Sequence, residues 1–196
     1  LRHYRPVIWA SRGTLRQLRG VIPPGARVRM IQEKPEQAGD FTVTAIPVSH
    51  DAIQPVAYRF ESRFGSVAVV TDLGYWDPMT AEVVRGVDIA ICEANHDPVM
   101  LRDGPYPGYL KQRIASPRGH LSNEDGARLA AEAVRHGARQ VILGHLSEQN
   151  NSPGLALDVF METLEQTGTD TEISIARQHE PGPWIELRKQ DTPELL

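Results

Sequence analysis

Four apolar runs in this chain end on residues able to bind a metal or carry a proton. PVSHD closes on His50, SVAVVTDLG on Asp72, VDIAICEANHD on Glu93 and His96, and QVILGHLS on His145. Short aliphatic and β-branched runs bounded by turn formers read as buried strands. In a sheet, the carboxyl ends of neighbouring strands share an edge, and residues far apart in sequence meet in the crevice beyond it. The pattern therefore confines the chain to a sheet-based α/β fold with its chemistry gathered on one edge.

The rest of the chain alternates strand and helix. Residues 6–10 read as a strand, followed by a helix near SRGTLRQLRG that starts at a capping serine and stops at Gly20. Strands are expected at 27–32 and 41–48, with 56–62 and 66–71 pairing as a hairpin. Residues 78–85 suit a short helix, 87–92 a buried strand, and 97–107, rich in Pro and Gly, a long loop. The clearest helix is 123–136, with Ser122 as N-cap, Asp125 at the capping-box position and Gly137 as the stop. Another helix is expected at 153–166, with closing strands at 172–176 and 184–187. No repeat, low-complexity tract or linker divides the sequence, so residues 1–196 are expected to form one domain.

No stretch approaches the roughly 18 apolar residues of a membrane span, and no apolar signal core opens the chain, which leads to the expectation of a soluble, cytoplasmic protein. The only cysteine, Cys92, lies inside an apolar run, so a disulfide framework is excluded and burial is expected. Charge is unevenly spread. Net charge is −4, yet residues 1–30 hold seven arginines and no acid, leaving −11 for the remainder. A basic segment beside an acidic site would suit a polyanionic substrate, although a solvated helix face would look the same.

Asp72 is the most pointed single residue. At the end of an apolar strand, its carboxylate either meets cations, as a bridge between two metal ions would require, or closes a turn on backbone amides. His50, His120 and His145 each sit in a polar turn beside an apolar strand or a helix start, where a lone histidine is commonly a hydrogen-bonded structural group. Three of them together with Asp72 make the imidazole and carboxylate donor set that zinc or manganese accepts. His120 precedes a capped helix, a setting that also suits a proton donor. Glu93 has the chemistry to orient a histidine through its second ring nitrogen. Asn95 and Asp97 serve equally as turn formers, while Asn150 and Asn151 either hold a phosphate or cap the following helix. Arg102, Lys111, Arg113 and Arg118, interleaved with Tyr106 and Tyr109, have the chemistry to hold backbone phosphate and stacked bases.

Taken together, PVSHDA, VVTDLGY, CEANHDPVML, YPGYLKQRI, GHLSNEDGARLA and LGHLSEQNN resemble the metallo-β-lactamase fold, and most closely its YycJ/WalJ-like hydrolases. The resemblance covers nearly the whole chain in the family's order. It implies an αββα sandwich in which His50, Asp72 and His145 bind two divalent ions, zinc or manganese. A likeness to RNase Z extends it and implies that Glu93 and His120 assist protonation of the leaving group. His96, Asn150, Asn151, Arg113 and Arg118 are the expected substrate contacts. The family's HxHxDH signature does not occur in the sequence. LRHYRPVIWAS resembles the segment just after that signature, so the chain reads as the C-terminal portion of a longer hydrolase, with the first strands missing. Alone it is expected to be inactive and to self-associate through exposed sheet surface.

The function implied is metal-dependent phosphodiester hydrolysis by a DNA or RNA nuclease. The alternatives are a hydrolase of small cyclic phosphates or esters with the same fold, and a non-catalytic binding protein with a degenerate metal site.

Overall fold

A computed structural model of the chain describes residues 6–187. Its framework is a seven-stranded sheet in the order β3 (Glu36–Ala38), β4 (Phe41–Pro47), β5 (Val56–Ser62), β6 (Gly65–Val70), β7 (Ile89–Glu93), β8 (Gln140–Gly144) and β9 (Glu172–Ile175). β4 and β6 are both antiparallel to β5, and β7, β8 and β9 continue parallel to β6. The carboxyl ends of β4, β6, β7 and β8 therefore share one edge, as the four apolar runs predict. Parallel strands covered on both faces read as continuous apolar runs, and in β7 and β8 four of the five residues are buried.

Helices cover one face. α5 (Asn123–Arg135) begins at Ser122, whose Oγ accepts from the Asp125 amide at 3.2 Å. It packs against α6 (Pro153–Glu165) and β7. The main core is gathered here, with Val70, Ala90, Cys92 and Leu143 of the sheet fully buried among Leu129, Ala130 and Phe160 of the helices. Each such Leu or Phe contributes about 1.5–3 kcal/mol by leaving water. α2 (Pro78–Ala81) completes this layer.

A separate two-stranded parallel sheet is formed by β1 (Val7–Ala10) and β2 (Arg27–Met30). A smaller cluster, in which Ile31, Val43 and Ala45 meet Trp9, Tyr58 and Phe60, joins it to β4 and β5. Between its strands lie α1 (Arg12–Gln17), capped by Ser11, and a 3-10 turn over Leu18–Gly20.

Two expectations are corrected, and two elements are additional to them. The stretch 97–107 is not one long loop, because Asp97 Oδ1 accepts from the Met100 amide and starts α3 (Pro98–Asp103), with proline in its first turn where no donor is needed. A further helix, α4 (Gly108–Ile114), follows Pro107. Residues 184–187 are not a strand, since Trp184 is fully exposed and the segment pairs with nothing in the sheet. The edge strand β3, three residues long, has no apolar alternation to announce it.

Candidate metal centre

The four strand ends deliver their residues to one place. His50 follows β4, Asp72 follows β6, Glu93 ends β7 and His145 follows β8. The register pairs Glu93 with Gly144, so the glutamate lies beside the residue that leads into His145. His120 arrives from the loop between α4 and α5.

Glu93 is completely buried. Its Oε1 accepts from His120 Nδ1 at 2.8 Å and from His145 Nδ1 at 2.7 Å, while Oε2 accepts from the amides of Leu73 at 3.0 Å and Leu121 at 3.4 Å. A carboxylate offers about four lone-pair sites, and here all are taken. Burial pushes the Glu93 pKa upward, but the bonds from His120 and His145 outweigh it and hold the pKa below the usual value, so the group is ionised. The same bond to Glu93, against the opposing effect of burial, raises the pKa of His145.

A carboxylate only accepts, so His120 and His145 each carry their proton on Nδ1 and keep Nε2 free. His50 is held alike: its Nδ1 donates to the Gly119 carbonyl at 2.8 Å. The three rings stand in a row with their planes steeply tilted, His120 lying 4.9 Å from His50 and 5.0 Å from His145 between centroids.

Asp72 faces all three. Its Oδ1 stands 3.8 Å from His50 Nε2, 4.0 Å from His120 Nδ1 and 3.7 Å from His145 Nδ1. Asp72 and His145 are also the two non-glycine residues with positive φ among the described residues, at 60° and 58°. A left-handed residue with a side chain costs about 1–2 kcal/mol, and such strain gathers where a side chain must be aimed.

Tight loop contacts fix the arrangement. The Gly74 amide donates to the Ser49 carbonyl at 2.9 Å, and Ser49 Oγ donates to the Pro117 carbonyl at 2.7 Å. A Cβ on Gly74 would stand 2.2 Å from the Ser116 carbonyl oxygen and 2.5 Å from the Gly119 amide, so only glycine lets these loops approach.

A cavity of ≈ 980 Å³ opens beside His120 and His145, with Tyr106, Arg113, Ser147 and Asn151 among its walls. The expected substrate contacts divide accordingly. Arg113 lies on the rim, paired through Nε and Nη2 with Asp51, whose pKa that guanidinium lowers. Asn151 reaches the cavity wall, but its amide is engaged: Nδ2 donates to the Ala94 carbonyl and to Asn123 Oδ1, both at 2.8 Å. Asn150 is fully buried, with Oδ1 unpartnered, and His96 is 4% exposed with Nδ1 unpartnered. Burial lowers the pKa of His96, which therefore stays neutral. Arg118 is exposed on the loop just before Gly119. Sequence reasoning did not find the Gly119 carbonyl, the Asp51–Arg113 pair or the double grip of Glu93, none of which has a local sequence signal.

A family model described as beta-lactamase superfamily domain matches residues 1–146. The chain belongs to this superfamily. Among curated relatives, exodeoxyribonuclease WalJ of Streptococcus pneumoniae is 41% identical over 133 residues, covering 68% of this chain and 49% of that protein. Exodeoxyribonuclease YycJ of Bacillus anthracis is 34% identical over 170 residues, covering 85% of this chain and 64% of that protein. The chain thus spans about half to two thirds of the length of these relatives. The crystal structure of the metallo-β-lactamase fold protein YhfI from Bacillus subtilis superposes with a TM-score of 0.62 at 20% identity, over 87% of this chain and 62% of that one. At that identity the likeness is one of fold.

A metallo-β-lactamase fold implies divalent metal binding, and the residues present fit it. Two ligands about 2.0–2.2 Å from one tetrahedral ion lie roughly 3.4 Å apart, close to the 3.8 Å between Asp72 Oδ1 and the free Nε2 of His50. His50, Asp72 and His120 lie within a single ion's reach. The grouping of Glu93 with His120 and His145 meets the same distance criterion, yet the saturated carboxylate makes it a hydrogen-bonded support rather than a cage. No helix among the described residues is long and apolar enough to cross a membrane.

Proposed function

We propose that this chain carries the catalytic edge of a metal-dependent phosphodiester hydrolase, a nuclease acting from DNA or RNA ends, which in its intact form holds two divalent ions of the zinc or manganese type. One observation carries the reading: a single buried carboxylate, Glu93, holds two histidines by Nδ1 beside Asp72 and His50 on the sheet edge. The curated relatives named exodeoxyribonucleases support the choice of substrate. A divalent ion in such a site supplies Lewis-acid polarisation of a phosphoryl oxygen and activation of water.

The chain's own residues do the rest. His50, Asp72 and His145 would hold the ions, the rings through Nε2 and Asp72 through its carboxylate. Glu93 lies behind the rings and acts by position: it fixes their Nδ1–H tautomers and leaves Nε2 of His120 as the nitrogen through which a proton would pass to a leaving oxygen. Arg113, Arg118 and Asn151 border the path of a phosphodiester, while His96 and Asn150 support the loops beneath it.

A cytoplasmic setting belongs to the same reading, supported by the one cysteine, buried and unpaired. Self-association through β2, where Val28 and Met30 are exposed, is a further part of it, to be read by sedimentation as a concentration-dependent mass.

The test is metal-dependent release of nucleotides from end-labelled oligonucleotides, by this chain and by a form extended N-terminally to the length of its relatives. Activity in the extended form that Asp72→Asn abolishes supports the proposal. Unchanged activity in that variant refutes it.

A further inference from the structure

Among the described residues of this acidic protein, eight arginines are paired with acids. Arg59, Arg85, Arg102, Arg113, Arg128, Arg135, Arg139 and Arg177 each reach a carboxylate. In the lobe built from β1, α1 and β2, Arg12, Arg16, Arg19 and Arg29 are all exposed, and none forms an ion pair within the described residues. Residues 1–30 contain no acid that could serve them.

Their spacing is ordered. Arg12, Arg16 and Arg19 stand at i, i+4 and i+7, which places them on one side of α1 and the turn that continues it. At 1.5 Å per residue they span about 10 Å, the scale on which neighbouring backbone phosphates of one strand recur.

This row is docked onto the metal-site loop. Ser11 Oγ donates to the Gln54 carbonyl at 2.9 Å, and the Gly13 amide donates to Gln54 Oε1 at 2.9 Å. A Cβ on Gly13 would meet Ile53 Cγ2 and Gln54 Cβ at 2.7 Å each, so glycine is what seats α1 against the loop that begins at His50. Across the same histidine, exposed Arg118, without an ion pair among the described residues, precedes the Gly119 carbonyl that holds His50 Nδ1. Unneutralised guanidinium groups thus flank the His50 loop from both sides.

We infer that the α1 lobe is a phosphate track for a polynucleotide, gripping the backbone of a strand without reading its bases, while the strand's end lies at the metal centre. The inference rests on the nuclease reading for its ligand but not for its measurement. Unpaired arginine suits this task, because phosphate contacts supply sequence-independent affinity through counterion release.

The experiment is binding of a fluorescent 20-nucleotide oligothymidylate to the full chain, with chelator present, across a salt series. The variants are Arg12→Gln/Arg16→Gln/Arg19→Gln and, as a charge-matched control, Arg128→Gln/Arg135→Gln/Arg139→Gln, each checked by thermal melting. Single-strand contacts contribute a slope of about 0.7 per neutralised phosphate in log K against log salt, so the first variant should bind more weakly with its slope shallower by about 2. The control should keep the wild-type slope. An unchanged slope in the first variant overturns the track. So does an equal loss in both variants, which would mean diffuse attraction, or binding to phosphatidylglycerol vesicles without binding to the oligonucleotide. Loss of the slope together with no cleavage by the extended form would refute the nuclease reading and leave the track standing.

Discussion

Replacing Glu93 with glutamine is the most informative single change, because it alters one oxygen and leaves volume intact. The native carboxylate accepts four hydrogen bonds from inside the core, two from imidazoles and two from backbone amides. Glutamine keeps one oxygen and gains an NH2 group. If that oxygen faces the rings, the amides of Leu73 and Leu121 confront a donor and lose their acceptor. If it faces the backbone, His120 and His145 must move their protons to Nε2, and the nitrogens free to bind metal are lost. The first orientation strands two donors, at about 1–3 kcal/mol each, and the second keeps every bond only by giving up the tautomers the site uses. Removing a buried charge recovers part of this, so the first orientation predicts a net loss of about 2–4 kcal/mol, and the second a smaller one with its effect on metal affinity. In a protein of this size, about 2–4 °C of Tm accompanies each kcal/mol, which predicts a fall of roughly 4–16 °C by circular dichroism in chelator. Loss of a hydrogen-bonded support behind a ligand also lowers metal affinity about 10–100-fold, to be read by titration. A Tm within 1 °C of wild type, or about the precision of the melt, with unaltered metal affinity would refute the account of Glu93 as the shared anchor.

Three other outcomes are expected. Asn151→Ala leaves the Ala94 carbonyl and both ends of the Asn123 amide unpaired in a buried site, so urea unfolding should show a loss of about 3 kcal/mol; unchanged stability with weakened substrate binding would make Asn151 a substrate contact instead. Cys92 is buried and its thiol pKa is pushed up to about 12, so a disulfide reagent at neutral pH should label it only as fast as the protein unfolds, and rapid labelling of the native state would contradict its burial. Asp77 caps α2 by accepting from the Thr80 amide at 2.8 Å and Thr80 Oγ1 at 3.0 Å, bonds that lower its pKa in the folded state. Its contribution is therefore present above the usual aspartate pKa and lost as pH falls through the lowered value, whereas Asp77→Asn keeps a cap that does not titrate. The wild-type advantage in urea midpoint should shrink between neutral pH and about pH 3, and parallel curves would refute it.

The parts of this fold that were legible in the sequence are those fixed by local physics. Apolar runs announced β6, β7 and β8, and a capping serine followed by an apolar stripe announced α5. The same logic failed where the local signal was weak or misleading. In residues 97–107 the prolines and glycines masked a one-and-a-half-turn helix, although Asp97 before Pro98 is itself a start signal. At 184–187 a short run with Trp184, Ile185 and Leu187 read as a closing strand, but a strand exists only by pairing, and none is offered there among the described residues.

The candidate site divides in the same way. That Asp72 and His145 end strands is visible in one dimension, because each follows an apolar run; that both are left-handed is not, because no glycine or asparagine marks the position. The role of Glu93 depends on register. One residue of slippage between β7 and β8 would turn its side chain to the other face of the sheet and leave His145 without a partner. The apolar face packed beneath α5 is what prevents that slip, since it would expose Cys92 and bury a charge against α5 in its place. The chemistry at this edge is therefore held by the core beneath it, and a core substitution that loosened the β7–β8 register should disturb the two imidazoles together rather than one at a time.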